Sequence, residues 1–368
     1  MDNLFNNIYK NRKVLITGHT GFKGSWLAFW LQNMGADVVG YSLESPTQPS
    51  HFDLLKMDIH SIIGDIRNLN TLCNAFERHQ PDIVFHLAAQ PLVRLSYSHP
   101  KETIDTNIMG TVNVFEACRQ CPSVKAVINI TSDKCYDNKE WVWGYREIDP
   151  MGGYDPYSAS KGCSELITAA YRKSFFNPNS YGKSHSLLLA SARAGNVIGG
   201  GDWAQDRLVP DIIRSVEKKN KIMIRSPGST RPWQHVLDPL SGYLYLGQQL
   251  LMGKKDYAGA WNFGPDTNKE YTVVEVVNFF KKFWDAVDYE VDQNSNNPHE
   301  AHLLKLDCSK ALFYLKWKSI WNNNIAFEKT INWYKAYYTN NSLLTSDDLY
   351  NFIQSAKNAN AKWAMNDE

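Results

Sequence analysis

No stretch of this chain reaches the roughly 18 uninterrupted apolar residues that a membrane span needs. A membrane protein of helical type is therefore not expected. Net charge is nearly missing as well. The sequence carries 39 Lys and Arg against 38 Asp and Glu, a formal charge of +1. That leaves no global field to attract nucleic acid or an acidic membrane, although local basic sites for phosphate stay open. Cysteine is sparse and scattered, six in 368 residues, which suits a reducing cytoplasm. Cys118 and Cys121 form a C-x-x-C, but a second pair or neighbouring histidines are lacking, so two ordinary cysteines are expected. His299 and His302 read as surface or substrate-loop residues, and no metal is expected. The N-terminus lacks an apolar core followed by a small-residue cleavage site, so no signal peptide is expected. Internal repeats and low-complexity tracts are missing too.

What is present is a globular composition, 43% hydrophobic and 21% charged. The length fits one large domain plus a smaller one. Lys13 to Thr17 (KVLIT) is a short apolar run that stops at glycine, a buried-strand signal. Ser25 to Gly35 then has helical spacing, with Trp26, Phe29 and Trp30 on it and a glycine stop. Further strand signals begin at Asp37, Asp82, Ala126 and Ser186. Continuous apolar strands separated by helices predict an α/β fold, a doubly wound parallel sheet (Rossmann fold). A smaller C-terminal α/β domain for substrate is expected after it. The pattern changes near residue 200, at Gly199 to Trp203, and arginines then punctuate the chain at Arg207, Arg214, Arg225 and Arg231. The expected division is 1–195 for the dinucleotide with a returning segment near 234–264, 196–340 mainly for substrate, and 341–368 as a polar helical tail on the surface. Asp292 to Glu300 reads as a polar loop.

Gly18, Gly21 and Gly24 lie three apart, directly after the first strand and opening a helix. A pyrophosphate must approach backbone N–H groups there, and side chains would block it. Phe22 and Lys23 sit within the same loop and join it as cofactor-binding candidates. Asp65, followed by Ile66, can accept a hydrogen bond from an adenine amino group. Leu87, Ala88 and Ala89 end a strand with residues small enough to lie against a flat cofactor. Asn107 could fix the backbone near the site. The acid usually found at the end of the second strand, which binds a ribose 2′-hydroxyl, is missing. Ser42 stands there, with Glu44 near and no arginine beside it. NAD is the expected cofactor, with NADP left open.

Tyr157 and Lys161 form Y-S-A-S-K. A tyrosine of ordinary pKa is a poor base at neutral pH, and a lysine one helical turn away can lower it. Thr131, Ser132, Asp133 and Lys134 end the strand that begins at Ala126. In a doubly wound sheet the strand C-termini face the ligand crevice, so this is a hydroxyl, a carboxylate and an amine side by side at the site.

Together, HTGFKGSWL, HLAAQPLVRLSY, TSDKCYDN, YSASK, RAGNVIGGGDW, RPWQHVLD and HEAHLLKLD resemble the extended short-chain dehydrogenase/reductases. Within these, the chain is similar to the nucleotide-sugar 4,6-dehydratases, from about Lys13 to Tyr334. Many of them carry Asp-Glu where this chain has Asp133-Lys134, a departure that points to the branch acting on CDP-glucose. The resemblance implies an internal redox cycle on NAD that removes water from the sugar. It gives Tyr157 the 4-hydroxyl proton, Lys161 the upkeep of the phenolate, and Ser132 a hydrogen bond to the same hydroxyl. Lys134 would take the C5 proton and Asp133 would protonate the departing 6-hydroxyl. Arg231, Arg207 and Asn196 are the expected substrate-binding residues. A cytoplasmic homo-oligomer, a dimer or pair of dimers, is implied, serving deoxysugar synthesis for polysaccharides such as O-antigen. A 4-epimerase, a reductase, a dehydratase on a UDP or dTDP sugar and a non-enzymatic cofactor sensor remain as alternatives.

Overall fold

The structure is a computed structural model that describes residues 3–224, 226–265, 271–292 and 303–365. Arg225, His299, His302 and most of the polar loop at 292–300 lie outside the described residues.

In chain order the first half contains β1 (Lys13–Thr17), α1 (Phe22–Asn33), β2 (Asp37–Ser42), α2 (His51–Leu55), β3 (His60–Ile63), α3 (Leu69–His79), β4 (Ile83–His86), α4 (Val93–Ser98), α5 (Pro100–Ile104), α6 (Gly110–Gln120), β5 (Ala126–Ile130), α7 (Pro156–Ser174) and β6 (Leu188–Ala194). The second half contains β7 (Val197–Ile198), α8 (Leu208–Glu217), β8 (Ile222–Ile224), β9 (Thr230–Arg231), β10 (Gln234–His235), α9 (Leu237–Leu251), β11 (Ala260–Phe263), β12 (Tyr271–Thr272), α10 (Val273–Phe283), β13 (Tyr289–Val291), α11 (Asn323–Asn340) and α12 (Thr345–Asn358).

Seven strands form one sheet in the order β11-β6-β5-β4-β1-β2-β3. Every pairing in it is parallel. The continuous apolar runs have a plain cause. Val14 and Ile16 of β1 face one core with α1 and α9, while Leu15 faces another with α3 and α6. Both faces of the strand are covered, so its middle positions are apolar. Strand order reverses between β1 and β4, and a crevice opens there beyond the strand C-termini. Helix α1 starts three residues earlier than its apolar spacing suggests, because Gly21 is its N-cap.

A separate cluster joins α8, α10 and α11 around Ile212, Val276, Phe280 and Phe327. Three short two-stranded pairings lie in this half. The chain returns to the first body through α9 and β11, which adds the edge strand beside β6. The polar C-terminal segment is more deeply built in than its composition suggests. Leu349, Phe352, Ile353 and Trp363 are buried in the same core as α1.

Candidate active site

One large cleft, about 940 Å³, runs from the β1–α1 loop past the ends of β4 and β5 to α8 and β9. Its floor is set by the glycine triplet. Gly18 has φ +80, and a Cβ there would lie 2.7 Å from the Ala88 nitrogen. A Cβ on Gly24 would lie 2.1 Å from the Gly18 carbonyl oxygen. These two glycines are required by chain packing. Gly21 is different, because a Cβ on it would meet only the Gly18 carbonyl, at 3.4 Å. The N-terminus of α1 has no side-chain cap and no acid in its first turn. An uncapped helix start with open space over Gly21 fits a pyrophosphate, and so the residues present fit a dinucleotide.

Leu87, Ala88, Ala89, Phe22, Asp65 and Ile66 all line the cleft. The Asp65 carboxylate is already engaged. Arg67 Nη2 donates to it at 2.6 Å and Arg67 Nε at 2.9 Å, and this holds the Asp65 pKa down. Asn107 does not line the cleft. It is buried, accepts from Gln90 N at 2.8 Å and donates to Ser160 Oγ at 2.8 Å. Its place is behind the site, clamping the chain after β4 to α7. At the end of β2, Ser42 Oγ and Thr20 Oγ1 are 2.9 Å apart, and Glu44 borders the cleft beside them.

Tyr157 and Lys161 lie one turn apart on α7 and are both buried at the cleft. Pro156 starts the helix and the Asp155 carboxylate caps it by accepting from Ser158 N at 2.9 Å. Tyr157 is not held below the ordinary phenol value. Burial pushes the phenol up to about 12, and the nearby Ser132 hydroxyl pulls the other way. Burial lowers Lys161 to about 8.

Ser132, Asp133 and Lys134 turn out of β5 in a short 3-10 turn, for which Ser132 is the N-cap. Ser132 Oγ donates to Asp133 Oδ1 at 2.9 Å and accepts from Lys134 N at 3.2 Å. Burial raises the Asp133 pKa, opposed chiefly by Lys134 and then by Ser132, Lys23 and Arg231. Lys23 points into the same corner, and burial together with Arg207 brings it down to about 7. Asn196, Arg207 and Arg231 all border the cleft. Arg207 Nη1 donates to Asp202 at 2.9 Å, and Arg231 Nη1 donates to the Thr230 carbonyl at 2.8 Å.

A buried network behind these residues escaped sequence reasoning. Glu165, one turn after Lys161, accepts from Thr131 and from Ser191 Oγ at 2.7 Å. It pairs with Arg193 Nη2 at 2.7 Å. Arg193 Nη1 then donates to Tyr136 Oη at 2.6 Å, and Tyr136 donates to Asn262 at 2.8 Å. The signal in the sequence was a serine and an arginine, Ser191 and Arg193, inside the small and apolar run of β6.

A Rossmann-type sheet with a dinucleotide-shaped crevice and a Tyr-Lys pair defines a nucleotide-cofactor enzyme of the extended short-chain dehydrogenase/reductase class. The family model described as "NAD dependent epimerase/dehydratase family" matches residues 14–262, and the chain belongs to that family. It is 53% identical to the CDP-glucose 4,6-dehydratase of Salmonella typhimurium, over 92% of this chain and 94% of that protein. Its fold is similar to an epimerase from Methanothermobacter thermautotrophicus, with a TM-score of 0.78, 22% identity and coverage of 90% and 94% of the two chains. It is also similar to the dTDP-glucose 4,6-dehydratase of Bacillus anthracis in complex with NAD, with a TM-score of 0.71, 21% identity and coverage of 88% and 96%.

Proposed function

We propose that this protein converts CDP-D-glucose to CDP-4-dehydro-6-deoxy-D-glucose and water on bound NAD. The observation that carries the reading is the corner where Asp133, held toward its protonated form by burial, shares Ser132 with the buried Tyr157. An acid beside a Tyr-Lys pair is needed for elimination and is not needed for epimerisation. Similarity to the Salmonella dehydratase supports the choice of CDP-glucose.

NAD, when bound, would supply a reversible hydride acceptor. Gly18, Gly21, Phe22, Lys23, Gly24 and the chain at 87–89 would hold it, with Asp65 and Ile66 at the adenine end. Glu44 beside Ser42 disfavours the 2′-phosphate of NADP by like charge. Tyr157 takes the proton of the 4-hydroxyl and Ser132 orients that hydroxyl. Lys161 holds the nicotinamide ribose and stabilises the phenolate. Once C4 is a ketone, the C5 hydrogen is acidic; Lys134 removes it. Asp133 protonates the departing 6-hydroxyl, and that oxygen leaves as water. Asn196, Arg207 and Arg231 would bind the nucleotide diphosphate, the arginines by charge-assisted hydrogen bonds.

In this division of labour the cofactor belongs to residues 1–195 with 234–264, and the nucleotide sugar mainly to 196–340. A cytoplasmic homodimer or pair of dimers, feeding deoxysugars into surface polysaccharide such as O-antigen, suits a cytosolic nucleotide sugar. Ile104, Met109 and Leu166 are exposed on α5 to α7, a face that supports pairing there. Among the described residues no helix is long and apolar enough to cross a membrane. No group of three or more potential ligands that could hold a metal is found among them.

The test is mass spectrometry of CDP-glucose after incubation with the protein and NAD. The expected product is lighter by one water with no net NADH, and carries solvent deuterium at C5. Water loss only from a dTDP or UDP sugar would replace the substrate, and inversion at C4 without water loss would replace the reaction.

A further inference from the structure

Ser132, Asp133 and Lys134 sit on one short turn between β5 and Tyr136. Such a turn lies outside the sheet, so its aim depends on what holds its two arms. The incoming arm is held at Thr131. Its N–H donates to the Ala192 carbonyl at 2.9 Å, and its hydroxyl donates to Glu165 Oε1. The outgoing arm is held at Tyr136. Its hydroxyl accepts from Arg193 Nη1 at 2.6 Å and donates to Asn262 Oδ1 at 2.8 Å. Backbone bonds of 2.9 Å, from Gly152 N to the Cys135 carbonyl and from Asp137 N to the Pro150 carbonyl, tie the same arm to the chain leading into α7.

The side-chain ties of both arms end on one ion pair. Arg193 Nη2 donates to Glu165 Oε2 at 2.7 Å, and both side chains are buried. Glu165 stands one turn after Lys161, on the helix that also carries Tyr157. A buried ion pair is a costly way to fill space, because both charges lose their water and apolar side chains of similar volume often pack as stably. What the charges supply here is direction, since one carboxylate and one guanidinium fix both arms of the turn to the helix of the Tyr-Lys pair. We propose that Thr131, Glu165, Arg193 and Tyr136 form a clamp that registers the Ser132–Lys134 turn against Tyr157 and Lys161. The inference rests on the dehydratase reading above. In that reading C4 oxidation and water loss act on one bound sugar, so the groups of both steps must meet it in one pose. Helix α7 sets Tyr157 and Lys161 directly. Asp133 and Lys134 depend on the turn, where an error of about 1 Å slows chemistry about a hundredfold. Thr131 and Tyr136 border the cleft, but their hydroxyls are taken up by the pair. All four are positioning residues.

The experiment is a single turnover of the full-length protein with NAD at saturating CDP-glucose, following NADH absorbance and product mass together. The rise of NADH reports C4 oxidation, and its fall reports hydride return after water loss, so both steps occur within the one turnover. Wild type comes first, and failure to lose water there would remove the dehydratase reading itself. Given wild-type turnover, Tyr136→Phe keeps the Glu165–Arg193 pair and frees only the arm beside Lys134. NADH should then rise at the wild-type rate and fall between about tenfold and a hundredfold more slowly. Deuterium at C5 of the sugar should slow that fall by a larger factor than in wild type. Thr131→Val frees the arm beside Ser132 and should slow the rise as well, while Thr131→Ser, which keeps the hydroxyl, should restore both rates. The Thr131 variants decide the matter if Tyr136→Phe does not fold. Wild-type rates in both Tyr136→Phe and Thr131→Val, equal slowing of rise and fall in Tyr136→Phe, or no rescue by Thr131→Ser would overturn the proposal and leave the pair a brace of the fold.

Discussion

Tyr157 shows how far a motif can be read as chemistry. The sequence predicts a phenol made acidic by Lys161, whereas burial holds the free protein's phenol near 12. A phenol held that high would act as the proposed base once bound NAD supplied positive charge nearby. Titrating tyrosinate absorbance in wild type against Tyr157→Phe isolates this group. Without NAD the difference should appear only at strongly alkaline pH, and with NAD it should move down. A titration that ignores NAD would remove the phenolate role. The neighbouring pair separates two reactions. Asp133→Asn should retain oxidation at C4, seen as enzyme-bound NADH, while dehydration falls about 10²- to 10⁴-fold. Equal loss of both steps would return Asp133 to a structural turn.

At the scale of elements, the Glu165–Arg193 pair fastens α7 to β6 and β5. Both side chains are buried, and Arg193 together with Thr131 and Ser191 holds the Glu165 pKa below the ordinary carboxylate value of 4.5. Arg193→Met leaves a buried carboxylate without its cation and should cost about 3–5 kcal/mol in urea unfolding. The pH sign follows from the lowered pKa. The wild-type contribution is complete above the unfolded value of about 4.5 and is lost as pH falls through the folded one. Flat wild-type stability across that acidic range would contradict it. The sequence showed the elements of this region but not their fastening. Strands β1, β5 and β6 were legible because burial on both faces leaves continuous apolar runs. Ser132, Asp133, Tyr157 and Lys161 were legible because strand ends and helix starts converge on the crevice. The pairing of Glu165 with Arg193 depends on a helix laid across two strands, which no local pattern encodes. Asn107 is more fully legible, because its expected role is to fix the backbone near the site, and its bonds to Gln90 N and to the Gln90 carbonyl hold a stretch that lines the cleft.

At the scale of the whole molecule, the last segment closes the first domain. Helix α1 carries Trp26 and Trp30 and has little amphipathic pattern, the mark of a helix covered on all sides. One side is covered by β1 and α9, and the other by the C-terminal segment. Trp363 packs on Trp30 with centroids 5.7 Å apart and stacks on Phe5 at 5.2 Å. Phe352 approaches Trp30 at 5.9 Å. His51 joins the two ends of the chain, with Nδ1 2.8 Å from Ser25 Oγ and Nε2 2.9 Å from Thr345 Oγ1. Ser25 follows Gly24, so the tail braces the helix whose N-terminus opens the dinucleotide loop. Composition hid this, because α12 is polar on one face and apolar on the other. Trp363→Ala should therefore destabilise the fold by about 3–5 kcal/mol in denaturant unfolding. Saturating NAD should raise the variant's melting temperature less than that of wild type, because a loosened α1 binds the cofactor more weakly and mass action then adds less stability. A tail that merely lies on the surface would give a change within about 0.5 kcal/mol and the same melting gain from NAD as in wild type.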